Sequence, residues 1–192
     1  MSDKEIYVEG KTFNKADYTA KNLPIGEYEG CAFTDCNFSN SDLSAITFIE
    51  CTFTGCNLSM SKLNKTSLKD VTFKGCKLLG ISFEKCAPFM FEANFTDCDL
   101  TLASFHAMSL LDAKFSNCNL QEVDFTQANL SKAHLANCDL LKARFEKTNL
   151  SKANLSTAYN YTLDPELNNL KKAKFSITGI SGLLAKYDIE IV

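Results

Sequence analysis

The chain contains 192 residues, which is enough for one domain with a sizeable hydrophobic core. Its 20 Lys and Arg against 23 Asp and Glu give a formal net charge of −3, and without a Lys/Arg cluster to neutralise phosphates, generic nucleic-acid binding is disfavoured. The polar N-terminus resembles no secretory signal, no stretch approaches the roughly 18 apolar residues of a membrane helix, and nine cysteines, an odd number, predict free thiols in a reducing cytoplasm.

Large apolar residues recur at every fifth position from Phe13 to Phe83 and, after a slip of two residues, from Met90 to Leu155. A small residue usually stands two positions before each of them, and the other positions are polar. A period of five fits neither an α-helix nor a flat strand. It predicts a chain that turns a corner every five residues, so that four sides close a coil of about 20 residues and successive coils stack at ~4.8 Å.

The slip predicts a two-residue bulge within residues 84–90, here called the bulge. If the sequence is folded at 20 residues per coil with this bulge, six cysteines fall at one small inward position: Cys36, Cys56, Cys76, Cys98, Cys118 and Cys138. Columns of aligned side chains of this kind are here called files. Two files of aromatic rings form in the same way: Phe33, Phe53, Phe73, Phe95 and Phe115 on one face, and Phe83, Phe105, Phe125 and Phe145 on another. The files keep their register only if the bulge is real.

The repeated motifs, such as CDLTL, ANFTD, ANLSK and CNFSN, resemble those of the pentapeptide repeat family. The resemblance covers residues 11–158 in about 29 tandem copies. It implies an all-β fold, a right-handed quadrilateral β-helix. We therefore expect a repeat solenoid over residues 1–158, and a C-terminal cap with a short helix and strand over residues 159–192, here called the tail.

The tail has its own signals. Asp164 before Pro165 predicts the N-cap and first turn of a short helix. Ile177, Ile180, Leu183 and Leu184 would form one apolar helix face, and the final DIEIV alternates like a strand. An open solenoid end must be covered to prevent polymerisation. Either the tail only caps the last coil, or it also pairs with a second copy across a two-fold axis.

The tail and the central CAPFMFEANF segment resemble those of microcin B17 immunity proteins and, less closely, Qnr-type fluoroquinolone-resistance proteins. That resemblance implies a homodimer joined at the C-termini. The residues expected in this interface are Ile180, Leu183, Leu184, Ile189 and Ile191.

No catalytic constellation is present in the sequence. His106 and His134 are predicted at outward positions on different faces, and the stacked cysteines lack the CxxC-type pairs of tetrahedral zinc sites. Phosphate-binding and nucleophile-elbow motifs are also missing. We therefore expect a protein that is not an enzyme and needs no cofactor or metal, with the cysteines acting as compact apolar filler.

One predicted face differs from the others. At its last outward place it carries one carboxylate per coil, here called the acid column: Glu50, Asp70, Glu92 and Asp112. Like charges in one file repel each other, although common surface residues also align by chance. Phe89, Phe91, Leu111 and Ile49 are predicted outward on the same side, where they form either a contact site or a cover for the unpaired backbone of the bulge. The residues expected to bind a partner are the acid column, Phe89, Phe91 and Leu111.

Two functions follow. The first is a DNA-mimicking decoy that binds a type II topoisomerase, DNA gyrase, and protects it from a poison; the resemblance implies gyrase, and the residues alone do not. The second is a structural or protein-interaction scaffold with an unidentified partner that uses the apolar residues at the bulge.

Overall fold

The computed structural model describes residues 6–89 and 91–190 as a solenoid of short parallel β-strands. One face is a four-stranded parallel sheet that runs from Ile6–Glu9 to Ser67–Lys69, and the next face is a nine-stranded parallel sheet that runs from Thr12–Asn14 to Lys174–Phe175. Isolated parallel bridges such as Asn57 to Lys77 join the coils on the remaining faces. The predicted fold class, a quadrilateral β-helix, is confirmed.

The strands are short because each side of a coil offers only about five residues. Their bounds are β1 Ile6–Glu9, β2 Thr12–Asn14, β3 Gly26–Glu29, β4 Ala32–Thr34, β5 Thr47–Ile49, β6 Thr52–Thr54, β7 Ser67–Lys69, β8 Val71–Lys74, β9 Ala93–Thr96, β10 Lys114–Ser116, β11 His134–Ala136, β12 Asn154–Leu155 and β13 Lys174–Phe175. The one α-helix among the described residues is α1, Ser181–Leu184, and 3₁₀ turns occupy Phe83–Lys85 and Ala185–Tyr187.

The predicted register holds on both sides of the bulge. Phe33 pairs with Phe53, 20 residues later, whereas Val71 pairs with Ala93, 22 residues later. The 3₁₀ turn Phe83–Lys85 begins the bulge, and the amide of Ala87 then donates to the carbonyl of Thr66 at 2.8 Å. The extra residues are therefore accommodated at one corner without disturbing the ladder of the next face.

The core consists of the predicted files of inward side chains. Neighbouring rings of one file stack at 4.7 Å for Phe33 and Phe53 and at 5.1 Å for Phe95 and Phe115. All nine cysteines are buried as free thiols. The thiol of Cys56 donates to the carbonyl of Phe33 in the preceding coil at 3.3 Å, which explains why a small side chain with a donor suits this position. Met90, predicted to face inward, lies outside the described residues.

The corners explain the polar positions of the repeat. The second residue after each large one commonly has a left-handed backbone, as at Asp70 (φ 51°) and Leu102 (φ 61°). The Asp or Asn before the large residue often closes a local turn: Asp99 Oδ1 accepts from the amide of Thr101 at 3.1 Å. Both features turn the chain through a corner every five residues.

The tail differs from its prediction in two respects. Parallel pairing continues beyond residue 158, because Leu155 pairs with Phe175. The predicted helix at Asp164 is wrong: Asp164 Oδ1 accepts from the amide of Glu166 at 2.8 Å in a turn. An Asp-Pro pair serves a turn as well as a helix start, and here the chain must bend to complete another coil.

The helix α1 then closes the end of the rod. Its Gly182 carbonyl accepts from the amide of Leu163 at 3.1 Å, and a side chain at Gly182 would collide with the backbone of Tyr161. The tail therefore covers part of the last coil. Residues 188–190 follow without strand pairing, and Ile191 lies outside the described residues.

Candidate partner-binding surface

The acid column forms at one corner of the rod. The pairing of Ile49 with Lys69 brings Glu50 beside Asp70, and the pairing of Val71 with Ala93 brings Asp70 beside Glu92. All four carboxylate side chains of the column are exposed. The structure thus places side by side acids that are separated by 20 or 22 residues in the sequence.

The charge at this corner changes sign along the rod. Beyond Asp112 the same position is occupied by Lys132, Lys152 and Lys172, each with φ of 60°. Lys132 Nζ lies 3.8 Å from Asp112 Oδ2, and both side chains are more than half exposed, so this ion pair adds little to stability. The acid column is therefore confined to the N-terminal and central coils.

The apolar residues beside the acid column differ in their exposure. Phe89 is 82% exposed, and Leu111 is also exposed. Phe91 is partly buried and meets Phe83 edge-on, with ring centroids 5.8 Å apart. The outward orientation thus holds for Phe89 and Leu111, whereas Phe91 packs against the core. Ile49 is partly exposed.

A cavity of about 450 Å³ that is open to solvent lies beside the bulge and is here called the bulge cavity. Its lining includes Glu84, Phe89, Phe91, Glu92, His106 and Met108. Glu84 Oε2 is buried and has no hydrogen-bond partner among the described residues. His106 was predicted from the sequence to face outward without a role, and Glu84 and Met108 were not identified there as lining residues. The repeat pattern assigns no orientation to Glu84 inside the irregular corner, and only the slip in the period pointed to this place.

The predicted interface residues of the tail behave in different ways. Leu183 packs against the core and Leu184 is partly buried, whereas Ile180 and Ile189 are exposed. Ile177, expected on the same helix face, is 91% exposed because it precedes α1 in a turn. The tail therefore presents several isoleucines to solvent.

Two of the buried cysteines, Cys51 and Cys86, lie where burial favours the protonated thiol. Burial raises the pKa of the Cys51 thiol to about 11 and that of the Cys86 thiol to about 12. Such thiols are protonated at neutral pH, and a protonated thiol is neither a nucleophile nor a metal ligand. Over residues 6–89 and 91–190, no group of three or more His, Cys, Asp or Glu is arranged to hold a metal ion.

The described part of the chain contains no helix with the length and apolar character needed to cross a bilayer. Comparison with curated protein sequences gives no match. Two solved structures of QnrB1, a plasmid-mediated fluoroquinolone resistance protein, are similar throughout. The full-length form is 18% identical, with a TM-score of 0.64 over 95% of this chain and 100% of that one. A trypsin-treated form is 19% identical, with a TM-score of 0.63 over 98% and 100%.

HetL, a pentapeptide repeat protein involved in heterocyst differentiation regulation in the cyanobacterium Nostoc, is 18% identical over 90% of this chain and 84% of its own, with a TM-score of 0.45. The family model for the pentapeptide repeat region matches residues 27–88 and 89–162, which is more than half of the chain. The chain belongs to the pentapeptide repeat family.

Proposed function

We propose that this protein is a non-catalytic DNA mimic that binds a type II topoisomerase, DNA gyrase, and protects it from poisons such as fluoroquinolones. The acid column is the observation that carries this proposal. The fold shared with QnrB1, itself a fluoroquinolone resistance protein, supports the choice of partner. This function requires a cytoplasmic location, and the reducing cytoplasm is the compartment in which cysteines remain free thiols.

The acid column offers a short, linear array of negative charge. Four carboxylates at intervals of ~4.8 Å extend over about 14 Å along the rod. Duplex DNA carries one phosphate charge per ~1.7 Å of axis, so the column is a sparser array of negative charge. A basic groove that accepts duplex DNA would gain attraction from the column without base-specific contacts.

The proposed functional form of the protein is a homodimer. The exposed isoleucines of the tail, Ile177, Ile180 and Ile189, would be buried against a second copy across a two-fold axis. In such a tail-to-tail dimer, Lys132, Lys152 and Lys172 lie nearer the centre and the acid columns lie on the outer arms. Sedimentation equilibrium at tens of micromolar tests this assembly, and a monomer would remove it.

The direct test is a gyrase supercoiling assay with increasing protein, with and without a fluoroquinolone. The neutralised variant is Glu50→Gln, Asp70→Asn, Glu92→Gln and Asp112→Asn. The matched control, which makes the same change in charge elsewhere on the surface, is Asp35→Asn, Asp97→Asn, Glu122→Gln and Glu146→Gln.

We expect the wild type and the control to reduce poisoning, and the neutralised variant to lose the effect. The interaction should weaken as salt rises, because exposed charges are screened beyond about 8–10 Å. If micromolar wild-type protein changes neither supercoiling nor drug sensitivity, gyrase is not the partner.

One observation favours a second function, an interaction scaffold with an unidentified partner: the aromatic ring of Phe89 is largely in solvent. Apolar contacts of this kind depend little on salt, in contrast to the acid column. Capture of a partner that Phe89→Ser abolishes and 0.5 M salt leaves intact would favour the scaffold over the decoy.

A further inference from the structure

The bulge cavity combines an apolar lining with two carboxylates. Phe89, Phe91 and Met108 supply apolar walls, while Glu84 and Glu92 supply negative charge. His106 is the one basic side chain among the lining residues of the described chain, and no Lys or Arg lines the cavity. Its volume, about 450 Å³, is within the range of sites that receive a ligand or a long side chain. It is open to solvent beside the acid column, with which it shares Glu92.

We propose that the bulge cavity receives a cationic side chain, arginine above all, from the protein partner. The inference deepens the proposed function and rests on it for the origin of that side chain. It does not depend on the identity of the partner.

The first argument is the state of Glu84. Its Oε2 is removed from solvent and accepts no hydrogen bond from the described residues. A buried acceptor without a donor is unfavourable, and a carboxylate more so than a neutral group. A guanidinium group placed in the cavity could supply the missing donor in a charge-assisted hydrogen bond once a rotation of the Glu84 side chain turns this oxygen towards it.

The second argument is the shape of the lining. Arginine presents an apolar stem and a planar charged end, and its guanidinium stacks on aromatic faces. Phe89 and Phe91 lie at the same cavity as Glu84 and Glu92, so one side chain can meet both kinds of group. A simple metal ion would find the carboxylates but would gain nothing from the phenyl rings.

The third argument is continuity. Glu92 belongs to the acid column and also lines the bulge cavity. A basic partner surface attracted by the column is therefore brought to the mouth of the cavity, where one anchoring side chain can enter. Interfaces commonly depend on a few such anchors, among which arginine is enriched.

The experiment uses the full-length ¹⁵N-labelled protein and a defined probe, N-acetyl-arginine N-methylamide. The matched uncharged probe is the corresponding citrulline derivative, which has nearly the same shape. Amide shifts are followed during titration for the wild type, for Glu84→Gln, and for a control, Glu122→Gln, in which an exposed acid on another corner is neutralised. Unchanged shifts elsewhere in the spectrum confirm that each variant is folded.

We expect the arginine probe to shift amides of residues 84–92 and 106–109, with a dissociation constant on the order of millimolar. Binding should weaken about tenfold in Glu84→Gln and with the citrulline probe, and should be unchanged in Glu122→Gln. Equal binding of both probes, or equal binding to Glu84→Gln, would overturn the inference. So would the absence of localised shifts, or the same shifts with MgCl₂ and none with arginine.

The outcome can be separated from the test of gyrase protection. If arginine binds the cavity and gyrase is unaffected, the proposed partner is wrong and the preference of the cavity for arginine stands. If gyrase is protected and the arginine probe does not bind, this inference alone fails.

Discussion

Neutralising the central member of the acid column should stabilise the protein while weakening its interaction with the proposed partner. Asp70 lies between Glu50 and Glu92, one coil away from each. Its backbone is left-handed, with φ of 51°, a conformation that Asn adopts as readily as Asp. Asp70→Asn therefore removes a charge from the middle of the column and leaves the corner intact.

The size of the effect follows from the coil spacing. Two like charges about 5–6 Å apart in water repel by about 0.7 kcal/mol, so two neighbours contribute about 1.5 kcal/mol before screening. The adjacent Lys69 offsets part of this repulsion. We expect a net gain of about 1 kcal/mol near 10 mM salt and about 0.5 kcal/mol near 150 mM, where the Debye length is about 8 Å.

The assay is reversible urea or thermal unfolding at both salt concentrations. A gain of about 1 kcal/mol corresponds to a rise in Tm of about 2–4 °C for a chain of this size. Asp35→Asn is the matched control, since Asp35 also has a left-handed backbone, with φ of 52°, while the same corner in the neighbouring coils carries Lys15 and Gly55. If Asp70→Asn destabilises the protein, or if its gain equals that of Asp35→Asn or ignores salt, the acid column does not store repulsion.

Three further predictions concern the rod itself. Phe95→Ala should lower the free energy of unfolding by about 3–5 kcal/mol, and Phe95→Leu by less than about 1.5 kcal/mol because Leu fills most of the same volume, as measured by urea unfolding. Equal losses would contradict this volume argument. Leu102→Gly should stabilise by about 0.5–1 kcal/mol because Leu102 has φ of 61°, whereas Leu141→Gly, at an exposed position without a left-handed backbone, should destabilise. The pKa values of Cys51 and Cys86 lie above the ordinary value of 9 in the folded state. The free energy of unfolding should therefore be constant below pH 9 and should fall by about 1.4 kcal/mol per thiol and pH unit from about pH 9 to 11. Urea unfolding that shows no change over this pH range would contradict this.

The regular part of the fold was predictable because the same physical requirement recurs in every coil. An inward side chain must be apolar and must fit the side chain above it. The large apolar residue at every fifth position therefore indicates how each coil is aligned with the next. The pairing of Val71 with Ala93 confirms the two-residue bulge, which was inferred only from keeping the cysteine and phenylalanine files aligned. The acid column was predictable for the same reason, since register alone places its members side by side.

The irregular parts of the fold were harder to predict from the sequence. The direction of Phe91 depends on the path of a single corner, which no repeat constrains, and the burial of Glu84 depends on the same corner. An Asp-Pro pair such as the one at Asp164 occurs both at helix starts and in turns. The turn forms here because the chain continues into an additional coil that ends at Phe175. In both regions tertiary geometry decides between local conformations that the sequence leaves equivalent.

The charge changes sign along the corner that carries the acid column, and this change determines how a dimer would bind its proposed partner. From Asp112 to Lys172 the corner runs through three coils, about 14 Å, so two acid columns joined tail to tail lie about 30 Å or more apart. That distance exceeds the Debye length at physiological salt, and each column therefore acts as a separate site.

Two linked sites bind a two-fold symmetric partner with an avidity that neither has alone. Ile180→Asp, which would place a charge in the proposed interface, should yield a monomer whose apparent affinity for gyrase falls by about 10²-fold. The salt dependence of each single contact should be retained, because the acid column itself is unchanged. A monomeric variant that binds as tightly as the wild type would show that one arm alone carries the interaction.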